Sequence, residues 1–185
     1  MTDAGSIPAA STIDIDKTKV KICNMKKLIL VSLFTINFHL NSFDCFSKDP
    51  ELNDSAYWAS IAIDLFAKQE YEKSIKTVDA CFNLFSSEAV IMQNEFTAQN
   101  KRFPPSGRVS KKEKDRIYEN WAVNDVSVAL WAKARSLDEI GKKDLAKKAY
   151  AQCIFLTYGR AWDPNGWFWS PAGDCVKRGR KLLDT

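Results

Sequence analysis

The stretch LWAKARSLDEIGKKDLAKKAYAQC, residues 130–153, carries its apolar and small residues three and four apart on both sides of Gly141. That spacing puts them on one stripe of a helix, and a glycine just past the stripe ends the helix in a left-handed cap that costs other residues energy. The stretch therefore predicts two helices joined by a tight turn.

The same spacing recurs upstream. Trp58-x2-Ile61-Ala62-x2-Leu65 followed by Ser74-x3-Val78-x2-Cys81 parallels Leu130-x2-Lys133-Ala134-x2-Leu137 followed by Ala146-x3-Tyr150-x2-Cys153. No stretch from residue 48 onward alternates convincingly as a strand would, so the expected fold is all-α, about seven helices arranged as antiparallel hairpins. The first begins at Asp49-Pro50 or at Asn53-Asp54, the second follows Gln69-Glu70, and the third runs from Ser87 to the breaker Phe103-Pro104-Pro105-Ser106-Gly107. Ser110 and Glu113 form a capping box for a fourth helix reaching Trp121, and Asn124-Asp125 opens a fifth, to Ile140. A sixth covers 144–158, and Ser170-Pro171, a cap residue followed by proline, opens a last, capping helix to about Leu183.

The two matched units, at roughly 56–84 and 128–158, resemble the tetratricopeptide-repeat-like (TPR-like) superfamily. In that spacing small residues let the helices of a hairpin approach and large ones fill the gap to the next hairpin. Lys133 departs from it at an apolar position, both closing prolines are missing, and a degenerate unit separates the pairs. The segments 120–143 and 158–172 also resemble a bacterial group of TPR-like proteins, some labelled beta-glucanase precursor. What the resemblance implies is a short helical array that holds a protein segment between its hairpins. Tyr57, Lys68, Tyr71, Arg135 and Lys142 are the polar or amphipathic positions that repeat phase assigns to that groove.

Residues 1–24 read as a start codon set too far upstream, since Gly5 to Thr12 (GSIPAAST) back-translates as the end of a transfer-RNA gene, or as a disordered tail. Met25-Lys26-Lys27, the apolar run Leu28 to Leu40 and the small residues after it have the grammar of a secretory signal peptide over 25–47, with cleavage expected after Ser47. The run is too short to span a bilayer, so no integral membrane protein is expected; the chain is expected to be exported to the periplasm or beyond.

Over 48–185 the chain holds 22 Lys plus Arg against 19 Asp plus Glu, interspersed, which argues against nucleic acid as a partner. The one histidine, His39, lies in the leader, so a Ser-His-Asp triad and the usual histidine-containing zinc sites are excluded from the mature chain. No evident carboxylate pair suits glycoside hydrolysis. The chain is expected to be non-enzymatic, with no cofactor. Cys81, Cys153 and Cys175 leave at most one disulfide and a spare thiol in a mature chain cut after Ser47.

Residues 162–171, WDPNGWFWSP, place three of the six tryptophans in a segment bent by proline and glycine. Such a segment suits a plug over the apolar end of a short helical array, whose terminal units must be covered. The alternative is a glycan-binding or glucan-processing surface made by Trp162, Trp167 and Trp169 beside Arg160, Asp163 and Asn165. Coplanar rings open to water would favour the surface, buried rings the plug. The corner at Trp121, Asn124 and Asp125 reads as a helix cap packed by tryptophan, and Lys111 to Arg116 as a solvated helix face.

Overall fold

The computed structural model describes residues 44–183. The opening segment 1–24 and the apolar run 28–40 lie outside the described residues, as does all of the 25–47 leader before residue 44. Within the described residues the chain forms α1 (Asp54–Ala67), α2 (Tyr71–Ala98), α3 (Lys111–Tyr118), α4 (Trp121–Glu139) and α5 (Lys143–Phe155). A two-stranded hairpin follows, β1 (Ala161–Asp163) and β2 (Trp167–Trp169), and α6 (Pro171–Leu183) closes the chain. No helix among them is long and apolar enough to cross a membrane.

The two helix pairs read from spacing are present. Ser74 Oγ donates to the Ala62 carbonyl at 2.8 Å and Trp58 Nε1 to the Thr77 carbonyl at 2.9 Å, so α2 runs back along α1 with its small residues at the closest approach. In the second pair Tyr150 Oη donates to Asp138 at 3.0 Å, and Ala134 of α4 and Ala146, Ala149 and Cys153 of α5 are all buried. Gly141, at a φ of +74°, makes the turn between them. Lys133, out of place in the apolar pattern, reaches across to pair with Asp79 of α2. The pairs close around α4, which packs against α1, α2 and α5, while α6 lies on α5.

Three expectations are corrected. Six helices are described instead of about seven, because the expected second and third are one helix of 28 residues, α2. No proline or glycine lies between Tyr71 and Ala98, so Ser86-Ser87 had nothing to break it with. The fifth helix opens at Trp121, so Asn124 and Asp125 belong to its first turns. Finally, the segment read as a bent loop contains strands. They are three residues long, too short to show alternation, and the turn Asp163-Pro164-Asn165-Gly166 joins them. Asp first, Pro second and Gly fourth is the composition of a type I turn, closed here by Gly166 N–H to the Asp163 carbonyl at 2.9 Å, with Gly166 at a φ of +95°.

The cysteines are also corrected. Cys153–Cys175 ties α5 to α6, and Cys45–Cys81 ties the segment before α1 to α2. There is no spare thiol among the described cysteines. The expected partnerless residue arose from setting Cys45 aside with the leader.

Candidate functional site

The aromatic hairpin is held by the chain on either side of it. Gly159 crosses α4 so closely that a Cβ there would lie 2.2 Å from Ser127 Oγ and 2.9 Å from the Val123 carbonyl. Next to it, Arg160 N–H donates to Asn124 Oδ1 at 2.9 Å, while Asn124 Nδ2 donates to the Ile117 carbonyl at 2.6 Å. Asn124 is thus a buried bridge between α3, α4 and the hairpin, not a cap. The guanidinium of Arg160 donates to the carbonyls of Pro104, Thr157 and Gly159. Burial lowers its pKa, and the carbonyl set takes up its donors. Arg160 is therefore a fastener for the 103–109 loop and not a ligand contact. Gly107 completes the join by exchanging both backbone hydrogen bonds with Phe168, at 2.7 and 2.9 Å.

Register sorts the rings. Trp162 lies opposite Phe168, and Asp163 opposite Trp167. Neighbouring residues of a strand point to opposite faces. Trp162 and Phe168 therefore share one face, where their rings meet edge to face at 4.8 Å, Phe168 is 1% exposed, and Lys114 Nζ sits 3.8 Å over Trp162. Trp167, Trp169 and Asp163 share the other. Trp162 and Trp167 are each 37% exposed but on opposite faces, so the platform expected from Trp162, Trp167 and Trp169 does not form. The segment is plug and surface at once: Phe168 fills a gap under Tyr118, Trp169 packs on the core, and Trp167 stays open.

The second face borders a cleft of about 770 Å³ between the hairpin, α4 and α6. Trp131 of α4 meets Trp169 edge to face at 5.1 Å, and its indole N–H donates to Asp174 Oδ2 at 2.7 Å. Arg178 Nε donates to the same oxygen at 2.8 Å. Burial pushes the Asp174 carboxyl up, but the hydrogen bonds from Trp131 and Arg178 and the charges of Arg178 and Arg135 outweigh it and hold it below the usual carboxylate range. Asp174 and Trp131 were not singled out from sequence. Trp131 follows Leu130 in the helical pattern and looks like core, and only the meeting of α4 with α6 makes it a wall.

Of the groove residues, two come together. Arg135 lies 4.9 Å from the Phe66 ring and 5.4 Å from Trp131, and Phe66 meets Tyr71 at 5.7 Å, so a ladder of rings runs from Tyr71 to Trp169. Lys68 is exposed and paired with Asp64 at 2.9 Å, Lys142 is exposed in the turn before α5, and Tyr57 lies on α1; none of these three joins the ladder among the described residues.

A different groove appears where α2, α4 and α5 meet. Phe82, Val90, Val126, Leu130, Phe155 and Leu156 line an apolar hollow of about 210 Å³, with Val90 and Phe155 exposed at its lip. Leu84 and Ile91 of α2 are exposed as well. Among the described residues no group of histidine, cysteine or carboxylate side chains has the arrangement to hold a metal ion. Neither family models nor curated proteins nor solved structures match this chain.

Proposed function

We propose that the chain is an exported, non-enzymatic adaptor of the bacterial cell envelope, a TPR-like helical-hairpin protein that binds a protein partner. The observation that carries this reading is the apolar hollow between α2, α4 and α5. Its rim residues Val90 and Phe155 leave apolar surface in water at a net cost, which a partner's apolar side chain relieves by occupying the hollow. Ser86 and Gln152 at the edge offer hydrogen bonds to a polypeptide backbone. Export is supported by the leader grammar that opens with Met25-Lys26-Lys27 and the apolar run 28–40, and by two disulfides, which persist in oxidising compartments. The groove assigned by repeat phase to Tyr57, Lys68, Tyr71, Arg135 and Lys142 is replaced in this reading by the hollow.

The test is a photo-cross-linking residue placed at Val90 in cells, with Lys112 on the solvated face of α3 as the control. The proposal expects a protein adduct of one discrete mass from position 90 alone, lost when Phe155→Asp is added. Equal adducts from both positions, or none from position 90, contradict it.

A further inference from the structure

The cleft between the hairpin, α4 and α6 lies on a different surface from the apolar hollow, and its chemistry differs. We propose that it is a saccharide-binding site, with Trp167 as the stacking ring and Asp163, Asp174 and Arg178 as the hydroxyl-binding groups. Trp167 is a residue 37% open to water on the face that also carries Trp169 and Asp163. An indole face with polar groups beside it suits a ligand that is apolar on its faces and polar at its edges. A pyranose whose substituents are all equatorial has that shape: its C–H groups line both faces and its hydroxyls lie around the rim.

The polar groups are already oriented. Asp174 takes both of its side-chain hydrogen bonds, from Trp131 and Arg178, on Oδ2. Asp163 takes both of its own, from the backbone and side-chain nitrogens of Asn165, on Oδ1 at 2.8 Å. Among the described residues, the side-chain hydrogen bonds of each carboxylate thus fall on one oxygen, which leaves the other to accept from a hydroxyl. Such preorganisation removes ordering cost from binding. Formal charge along the cleft also balances, Asp163 and Asp174 against Lys177 and Arg178. A cleft with directional acceptors and donors but no net charge favours a neutral polyhydroxylated ligand over a nucleotide or an acidic peptide.

Trp162 is outside this site. It lies on the other face of the hairpin with Lys114 over its ring, and so serves as an internal control. The test is calorimetric titration of the purified protein with cellotetraose and with chitotetraose, both built of all-equatorial rings. At least one is expected to bind, with affinity falling about tenfold or more in Trp167→Ala. Asp174→Asn weakens binding in the same direction, and Trp162→Ala leaves it unchanged, with circular dichroism and Tm reported for each variant. Because Trp167 is exposed, its removal does not depend on refolding the core. Val90 and Phe155 variants bind the sugar normally, which separates this outcome from that of the protein-binding reading. Binding of neither tetrasaccharide at millimolar concentration overturns the proposal, as does equal weakening by Trp162→Ala and Trp167→Ala, or binding unaffected by Trp167→Ala.

Discussion

Gly159 and Ser127 are in direct contact at the point where the chain leaves α5 and crosses α4, with space for a hydrogen and not for a methyl group. This crossing sets where the hairpin begins, since Arg160 N–H reaches Asn124 one residue later. Gly159→Ala forces the backbone off α4 and is expected to destabilise the fold by roughly 1–3 kcal/mol, the usual cost of overpacking. The double variant Gly159→Ala/Ser127→Ala recovers part of the loss. Chemical denaturation of the three proteins measures it, and an unchanged midpoint in the single variant contradicts the close crossing.

Arg160 ties the 103–109 loop, through the Pro104 carbonyl, to its own turn, through the carbonyls of Thr157 and Gly159. Arg160→Met keeps the stem and removes the donors. Hydrogen exchange is expected to rise in residues 101–109, at Phe168 and in the 157–160 turn, while α1 and α2 stay protected, because the lost bonds serve Pro104 and that turn alone. A uniform rise across the protein would show that Arg160 supports the core and not the loop.

Asp125 accepts a hydrogen bond from Ser55 Oγ at 2.6 Å where α1 meets α4. Burial pushes its pKa up from 3.8 to about 6, against the opposing effect of the Ser55 bond. A folded-state pKa above the unfolded one means that the protonated form favours the fold. Asp125 therefore contributes stability that is present below about pH 4 and lost as pH rises through about 6. Asp125→Asn is expected to stabilise the protein at pH 7 by up to about 3 kcal/mol and to flatten its pH dependence between 4 and 6. Asp174 has the opposite sign: its depressed pKa contributes stability above the ordinary carboxylate pKa that is lost on acidification. Denaturation midpoints of the wild type and Asp125→Asn across that range separate the two, and a variant that loses stability at pH 7 contradicts the assignment to burial.

The disulfide Cys45–Cys81 bears on processing. Ser47 N–H donates to Asp54 Oδ1 at 2.8 Å, so the chain before α1 is tied to the helix as well as to α2. A cut after Ser47 would discard Cys45 and leave Cys81 without its partner. Under the proposed export, the mature protein is therefore expected to begin upstream of Cys45 and to carry two disulfides, and intact mass before and after reduction measures both. Cys81→Ser lowers stability by roughly 4 kcal/mol for a loop of this size. A mature chain beginning at Lys48 contradicts this account.

The helix pairs were legible because their small residues sit at buried positions: Ala62 accepts from Ser74, and Ala134, Ala146 and Ala149 are all buried, as the spacing of a close helix pair requires. The last helix was legible from Ser170-Pro171, which sits where α6 begins. The hairpin was half legible, since Asp163-Pro164-Asn165-Gly166 names a turn, but strands of three residues leave no period to read. The aromatic cleft was least legible. Its Asp163, Trp167 and Trp169 stand out by composition, whereas Trp131 and Asp174 lie 43 residues apart and become neighbours only when α6 folds back. Arg160 looks like a ligand group in sequence for the same reason, because nothing local announces that Pro104, 56 residues away, joins Thr157 and Gly159 in taking up its donors.

The central claim, that one aromatic segment seals the fold with Phe168 and Trp169 and leaves Trp167 open to a ligand, is tested most directly by fluorine NMR. The protein is labelled with 5-fluorotryptophan, each resonance is assigned by a single Trp→Phe variant, and a soluble gadolinium chelate is added. Trp58, fully buried, should be unaffected, Trp131 and Trp169 partly broadened, and Trp121, Trp162 and Trp167 strongly broadened. Protection of Trp167 equal to that of Trp58 would make the segment a sealed plug and contradict the account.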